Sequence, residues 1–102
     1  MGRVRGFFEY KIVPEQRESY LEWAAEFKRK MNEAGIADIE VLESNQRTNQ
    51  FIETFTVESI DRFEAVRESL NVQPDYQELQ SRLDKMLQGG RESMKIWFFS
   101  EI

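Results

Sequence analysis

Residues 4–13 alternate with a period of two. Val4, Phe8, Tyr10 and Ile12 fall on one side of an extended segment, and Arg5, Phe7, Glu9, Lys11 and Val13 on the other. Pro14 ends this run and suits the first turn of a helix, where its missing N–H costs nothing. Over residues 15–34 the period changes. Tyr20, Trp23, Ala24, Phe27, Met31 and Ala34 recur at the spacing of one helix face, and Gly35 is a natural stop. Glu15 and Glu18 near the start, and Lys28, Arg29 and Lys30 near the end, complement the helix dipole. Strand patterns return at 36–44 and 50–57, joined by the polar turn Asn45-Gln46-Arg47-Thr48-Asn49. In the first of these, Ile39 and Val41 share a face. In the second, Phe51, Glu53, Phe55 and Val57 oppose Ile52, Thr54 and Thr56. Ser59 is placed to cap a helix with the stripe Ile60, Phe63, Val66 and Leu70. Pro74 interrupts it, because the residue before a proline avoids helical geometry. A second helical piece follows, with Tyr76, Leu79, Leu83, Met86 and Leu87 on one side, and Gly89-Gly90 closes it. A last strand spans 93–100, with Met94, Ile96 and Phe98 against Lys95, Trp97 and Phe99.

The order strand, helix, strand, strand, broken helix, strand predicts an α+β, ferredoxin-like β-α-β-β-α-β domain over residues 1–102. Its usual strand order, 4-1-3-2, gives a four-stranded antiparallel sheet with the helices on one face. The uncovered face of such a sheet is normally polar. Here the first and last strands carry large apolar residues on both sides, Phe7 beside Phe8 and Trp97 and Phe99 against Ile96 and Phe98. Two helices cannot cover both faces, so a second copy of the chain is the expected cover, with Phe7, Trp97 and Phe99 in a homodimer interface.

Composition narrows the chemistry. With no cysteine and no histidine, the chain has no disulfide, no thiolate nucleophile or metal site, and no histidine base or haem ligand. A net charge of −5 disfavours nucleic acid as a partner, and Arg3 with Arg5 is too small a basic patch to change that. The longest unbroken apolar run, residues 96–99, is far short of a membrane span, so no membrane association is expected. Residues 1–9 lack the apolar core of a signal peptide, which makes the cytoplasm the expected location.

Several local features resemble the dimeric α+β barrel proteins, including antibiotic-biosynthesis-monooxygenase-like and NIPSNAP-like domains. They are the first strand running into Pro14, the Tyr20/Trp23/Phe27 helix, the third strand followed by the Ser59 helix, and Pro74-Asp75-Tyr76 opening the next piece. The resemblance covers nearly the whole chain. It implies two sheets packed into a barrel, helices outside, and a pocket between helices and sheet in each subunit. It implies no cofactor here: haem-degrading members use a histidine ligand, which this chain lacks. Cofactor-independent monooxygenases of the group hold aromatic substrates with Asn, Trp, Tyr and Arg. The third strand here has neither Asn nor Trp between Phe51 and Phe55.

Glu53 is the most informative carboxylate, because alternation puts it on an apolar face. An ion pair with an arginine or lysine of a neighbouring strand, or an interface contact, is the expected reason for it. A desolvated pocket carboxyl with a raised pKa is the alternative. Tyr10, Trp23, Phe27 and Tyr76 are candidates to line a ligand pocket with it, since tyrosine and tryptophan pair an apolar body with one polar handle. Plain core packing is the competing role. Glu18, Glu22 and Glu26 form an acidic row at helical spacing that reads as a solvated face, so no metal site is expected. Three functions follow. The first is a homodimer binding a small apolar or aromatic ligand between helices and sheet. The second is a cofactor-independent monooxygenase-like enzyme, and the third is a purely structural or regulatory dimer.

Overall fold

The computed structural model describes residues 2–102. Its order is β1 (Val4–Lys11), α1 (Arg17–Glu33), β2 (Ala37–Glu43), β3 (Gln50–Val57), α2 (Ile60–Asn71), α3 (Pro74–Met86) and β4 (Lys95–Ser100). The strands form one antiparallel sheet in the order β2-β3-β1-β4. This is the ferredoxin-like arrangement, and the helix side carries the core.

Element interiors follow the hydrophobic pattern, and the ends depart from it for local reasons. β1 stops at Lys11 instead of running to Val13. The chain there leaves the ladder: Ile12 N–H donates to the Asn49 carbonyl and Val13 N–H to the Met86 carbonyl, each at 2.9 Å. Pro14 opens a 3-10 turn, and α1 begins only at Arg17. β4 starts at Lys95 because Gly89 and Gly90 take positive φ (83° and 72°), and Ser93 Oγ bonds back to the Gln88 and Gly90 carbonyls. On α2, Ser59 Oγ accepts from Arg62 N–H at 3.0 Å as an N-cap. Ile60 in that first turn is exposed, and the buried face begins at Phe63, which stacks on Phe55 at 4.9 Å.

α1 buries Tyr20, Trp23, Ala24, Phe27 and Met31, and α3 buries Tyr76, Leu79, Leu83 and Met86. Polar clamps tie the layers at their edges. Arg17 grips Glu43 through both carboxylate oxygens and reaches Asn49 at 2.8 Å, joining α1 to the β2–β3 hairpin. Lys30 bonds Gln73 at 2.7 Å and Asp75 at 2.8 Å, joining α1 to the α2–α3 junction. Glu26 of the acidic row takes Arg82 of α3 in the same two-pronged way.

Gly6, in a central strand, leaves room for the Phe55 ring. A Cβ at Gly6 would lie 2.3 Å from Phe55 Cζ, and that ring is held from behind by Phe63. Gly6→Ala is therefore expected to lower unfolding stability by about 1–3 kcal/mol, the usual cost of overpacking a rigid site. The midpoint of urea unfolding measures it. An unchanged midpoint means that the aromatic cluster can step aside.

The sheet's other face is uncovered. Phe7 there meets Phe99 edge-on at 5.7 Å. Trp97 and Phe99 are 42% and 59% exposed, and Leu42 on the far strand is 48% exposed.

Candidate functional site

The site begins with pairing register. Glu53 on β3 lies opposite Phe8 of β1 and Val41 of β2, between Phe51 and Phe55 of its own strand. Alternation turns all five side chains toward the helices, so the carboxyl enters an apolar layer and is 4% exposed. The expected ion pair is not made. Among the described residues no arginine or lysine lies within salt-bridge distance of Glu53. Its partner is neutral: Tyr10 Oη donates to Glu53 Oε2 at 2.5 Å. The interior offers no cation there because neither β1 nor β2 places an arginine or lysine on this face.

Tyr10 Oη is also 2.7 Å from Tyr20 Oη. Since Tyr10 gives its proton to Glu53, Tyr20 gives its own to Tyr10, and the three form a short polar chain through the core. Burial pushes both tyrosine hydroxyls above their usual range, and the Glu53 charge adds to the effect. Burial also raises Glu53 to about 7, against the opposing pull of the Tyr10 hydrogen bond and of Arg91 and Arg67. Glu53 Oε2 already accepts from Tyr10, and Tyr10 accepts from Tyr20. A proton on Glu53 therefore resides on Oε1, which has no hydrogen-bond partner among the described residues.

Glu53 lines a cleft between sheet and helices. Phe8, Glu53 and Phe55 form its floor, Phe27 and Met31 of α1 one wall, and Phe63 and Arg67 of α2 with Tyr76, Gln80 and Leu83 of α3 the other. Arg91 and Met94, before β4, border the mouth. The enclosed space is about 30 Å³, enough for about one or two waters. Several bordering side chains are adaptable: Met31 and Met94 are flexible, and Arg67, Gln80 and Met94 are only half-buried.

Of the sequence candidates, Phe27, Glu53 and Tyr76 meet at this cleft. Tyr10 borders a separate hollow of about 260 Å³ with Glu9, Lys11 and Gln50, and reaches the cleft only through Glu53. Trp23 does not line the cleft. It is fully buried, stacked on Phe27 at 4.8 Å, and its Nε1–H donates to the Leu79 carbonyl at 2.8 Å, which pins α1 to α3. Three cleft residues escaped the sequence reading, Arg67, Gln80 and Arg91. Arg67 follows Phe63 by four residues and so shares its side of α2, a spacing visible in the sequence. Arg91 comes from the turn after Gly89-Gly90, whose path no local pattern reveals. Arg91 is held by Asp84 and Gln80 of α3. Among the described residues no group of three or more carboxylates is placed to hold a metal, and no helix is long and apolar enough to cross a membrane.

No protein-family model matches the sequence, and no curated protein matches it significantly. Solved structures do. A candidate antibiotic biosynthesis monooxygenase from Bordetella bronchiseptica superposes with a TM-score of 0.78 at 12% identity, covering 100% of this chain and 99% of that one. A NIPSNAP family protein from Agrobacterium tumefaciens gives 0.78 at 17% identity, covering 99% and 87%. A candidate antibiotic biosynthesis monooxygenase from Nitrosomonas europaea gives 0.76 at 13% identity, covering 100% and 93%. The chain thus has the ferredoxin-like α+β fold of the antibiotic-biosynthesis-monooxygenase-like and NIPSNAP proteins. At these identities the likeness is one of fold, and a fold of this kind carries many functions.

Proposed function

We propose that this chain is a homodimeric α+β barrel protein that takes a small apolar or aromatic molecule into the cleft between helices and sheet. Glu53 at the floor exchanges a hydrogen bond or a proton with that molecule. The observation that carries the reading is a cleft-lining carboxyl buried in an apolar layer, fixed by Tyr10 through one oxygen and with no hydrogen-bond partner on the other among the described residues. A group so placed, titrating near neutrality, is suited to acid–base work on a bound hydroxyl. The aromatic lining supports a planar ligand, which enters as the mouth side chains swing aside. The second copy covers Phe7, Trp97 and Phe99.

Phenol is the simplest probe. Titrated into 15N-labelled protein, it is expected to shift the amide signals of Phe8, Glu53, Phe55, Phe63 and Tyr76. Glu53→Leu removes both oxygens and is expected to weaken phenol binding about tenfold, the worth of one buried hydrogen bond to a polar partner. Shifts scattered over the surface, or equal binding by the variant, overturn the reading.

A cofactor-independent monooxygenase is a second reading, favoured by the names of several structural neighbours and by the same carboxyl. Glu53 would take the proton of an aromatic hydroxyl, leaving an electron-rich anion to react with oxygen. Oxygen uptake in the presence of a hydroquinone, abolished by Glu53→Leu, would distinguish it from simple binding.

A further inference from the structure

We infer that the cleft selects small aromatic acids, with Arg67 as the residue that receives the acid group; this rests on the cleft being a ligand site as proposed above. The argument starts from the pairing of the arginines. Arg17, Arg82 and Arg91 are each held by a carboxylate of a neighbouring element. Arg67 is not. Among the described residues it makes no ion pair and no side-chain hydrogen bond, although the chain carries 19 acidic side chains. Its guanidinium lies instead 5.9 Å from the ring centroids of both Phe8 and Phe63. Ring faces attract the cation but do not accept from the N–H donors at the edge of the guanidinium plane. A half-buried guanidinium with no carboxylate partner, in a cleft of aromatic side chains, is suited to receive a planar anion.

The rest of the lining agrees. Glu53 is the only acidic residue among the cleft's lining side chains. The charged and titratable groups around it are Tyr10 from β1, Tyr20 from α1, Arg67 from α2, Tyr76 from α3 and Arg91 from the turn before β4. Burial raises Tyr76 too, so at neutral pH all three tyrosines are uncharged. When Glu53 is protonated, the cleft lining therefore has cationic residues and no anion, and the Glu53 carboxyl is one of its hydrogen-bond donors. A carboxylate accepts from Arg67 through one oxygen and from Glu53 through the other, while its ring packs among Phe27, Phe55 and Phe63. A neutral phenol offers only one of these contacts, and an aromatic amine is repelled.

Benzoate, phenol and benzylamine, matched in ring size, test this by amide shift titration at pH 6. Benzoate is expected to bind at least tenfold more tightly than phenol, and benzylamine not at all. Arg67→Gln should weaken benzoate at least tenfold more than it weakens phenol, as expected for one charge-assisted contact. Arg67→Lys keeps the charge without the planar fork and should fall between. Raising the pH from 6 to 8 should weaken benzoate selectively, as Glu53 ionises beside it. Benzoate binding that survives Arg67→Gln, or phenol equal to benzoate with both at the cleft amides, overturns the inference and leaves the ligand cleft standing. No cleft shift with any of the three probes overturns both. Thermal melts of the two Arg67 variants establish that each is folded at the titration temperature.

Discussion

A chain carrying both Trp97→Glu and Phe99→Glu is expected to sediment at 12.2 kDa, the mass of one subunit, whereas the parent is expected to sediment at twice that mass. Both side chains project from β4 away from the helices, beside Phe7, and they are the large aromatics the subunit leaves most open. Covering each would contribute about 1.5–3 kcal/mol of apolar burial. Two-fold symmetry counts every position twice, so the pair of substitutions removes a large part of any interface free energy. It also sets like charges against one another across the axis. The subunit itself should stay folded, because the core lies on the opposite face of the sheet, in Phe8, Phe55, Trp23 and their neighbours. Near-UV circular dichroism of the variant reads that packing directly. A parent that sediments at one subunit mass at micromolar concentration removes the dimer, and so does a variant that keeps the doubled mass.

The second large effect is on pH dependence. Glu53→Gln is expected to flatten a fall in stability that the parent shows between about pH 4.5 and pH 7. The folded chain holds its Glu53 proton up to about pH 7, whereas an unfolded chain releases it near the ordinary carboxylate value of 4.5. Between those values the native state binds more protons than the unfolded state, so stability declines as pH rises. Over the whole window the decline is on the order of 3 kcal/mol. Glutamine cannot ionise. It still offers Tyr10 an oxygen and places its amide where Oε1 faces the cleft. The variant should therefore gain on the parent by about that amount when urea midpoints at pH 5 and pH 8 are compared. Parallel curves would mean that Glu53 is ionised at neutral pH with a counterion close by. Glu43 acts in the opposite direction. Arg17 and the Asn49 N–H hold its carboxyl down to about 2, so its contribution is present above about pH 4.5 and fades as pH falls toward 2. Because both chains carry Glu43, the comparison cancels it.

The neighbours of Glu53 in sequence do not identify its partner. Alternation with Phe51 and Phe55 is enough to place a carboxyl on an apolar face, and elementary electrostatics then requires a compensating partner. An ion pair is the natural first answer. What supplies the partner is register. Pairing Tyr10 with Phe51 and Phe8 with Glu53 sets the Tyr10 hydroxyl diagonally across from the carboxyl, and α1 brings Tyr20 behind it. A neutral donor and a shifted pKa replace the counterion.

By itself the sequence determined what depends on periodicity and local stereochemistry. The four strands, the helix broken at Pro74, the Ser59 cap and the two-sided apolar sheet all follow from positions two, three or four residues apart, and the strand order is the usual one for that succession of elements. Only the tertiary structure decided what depends on elements distant in the chain. It buried Trp23 as a pin between α1 and α3 instead of a cleft wall. It brought the turn after Gly90 to the cleft mouth and left Arg67 without a carboxylate over two rings. The reason is physical: a side chain's period sets which way it faces, but the groups it meets are set by how helices cross a sheet, and that packing is a property of the whole core.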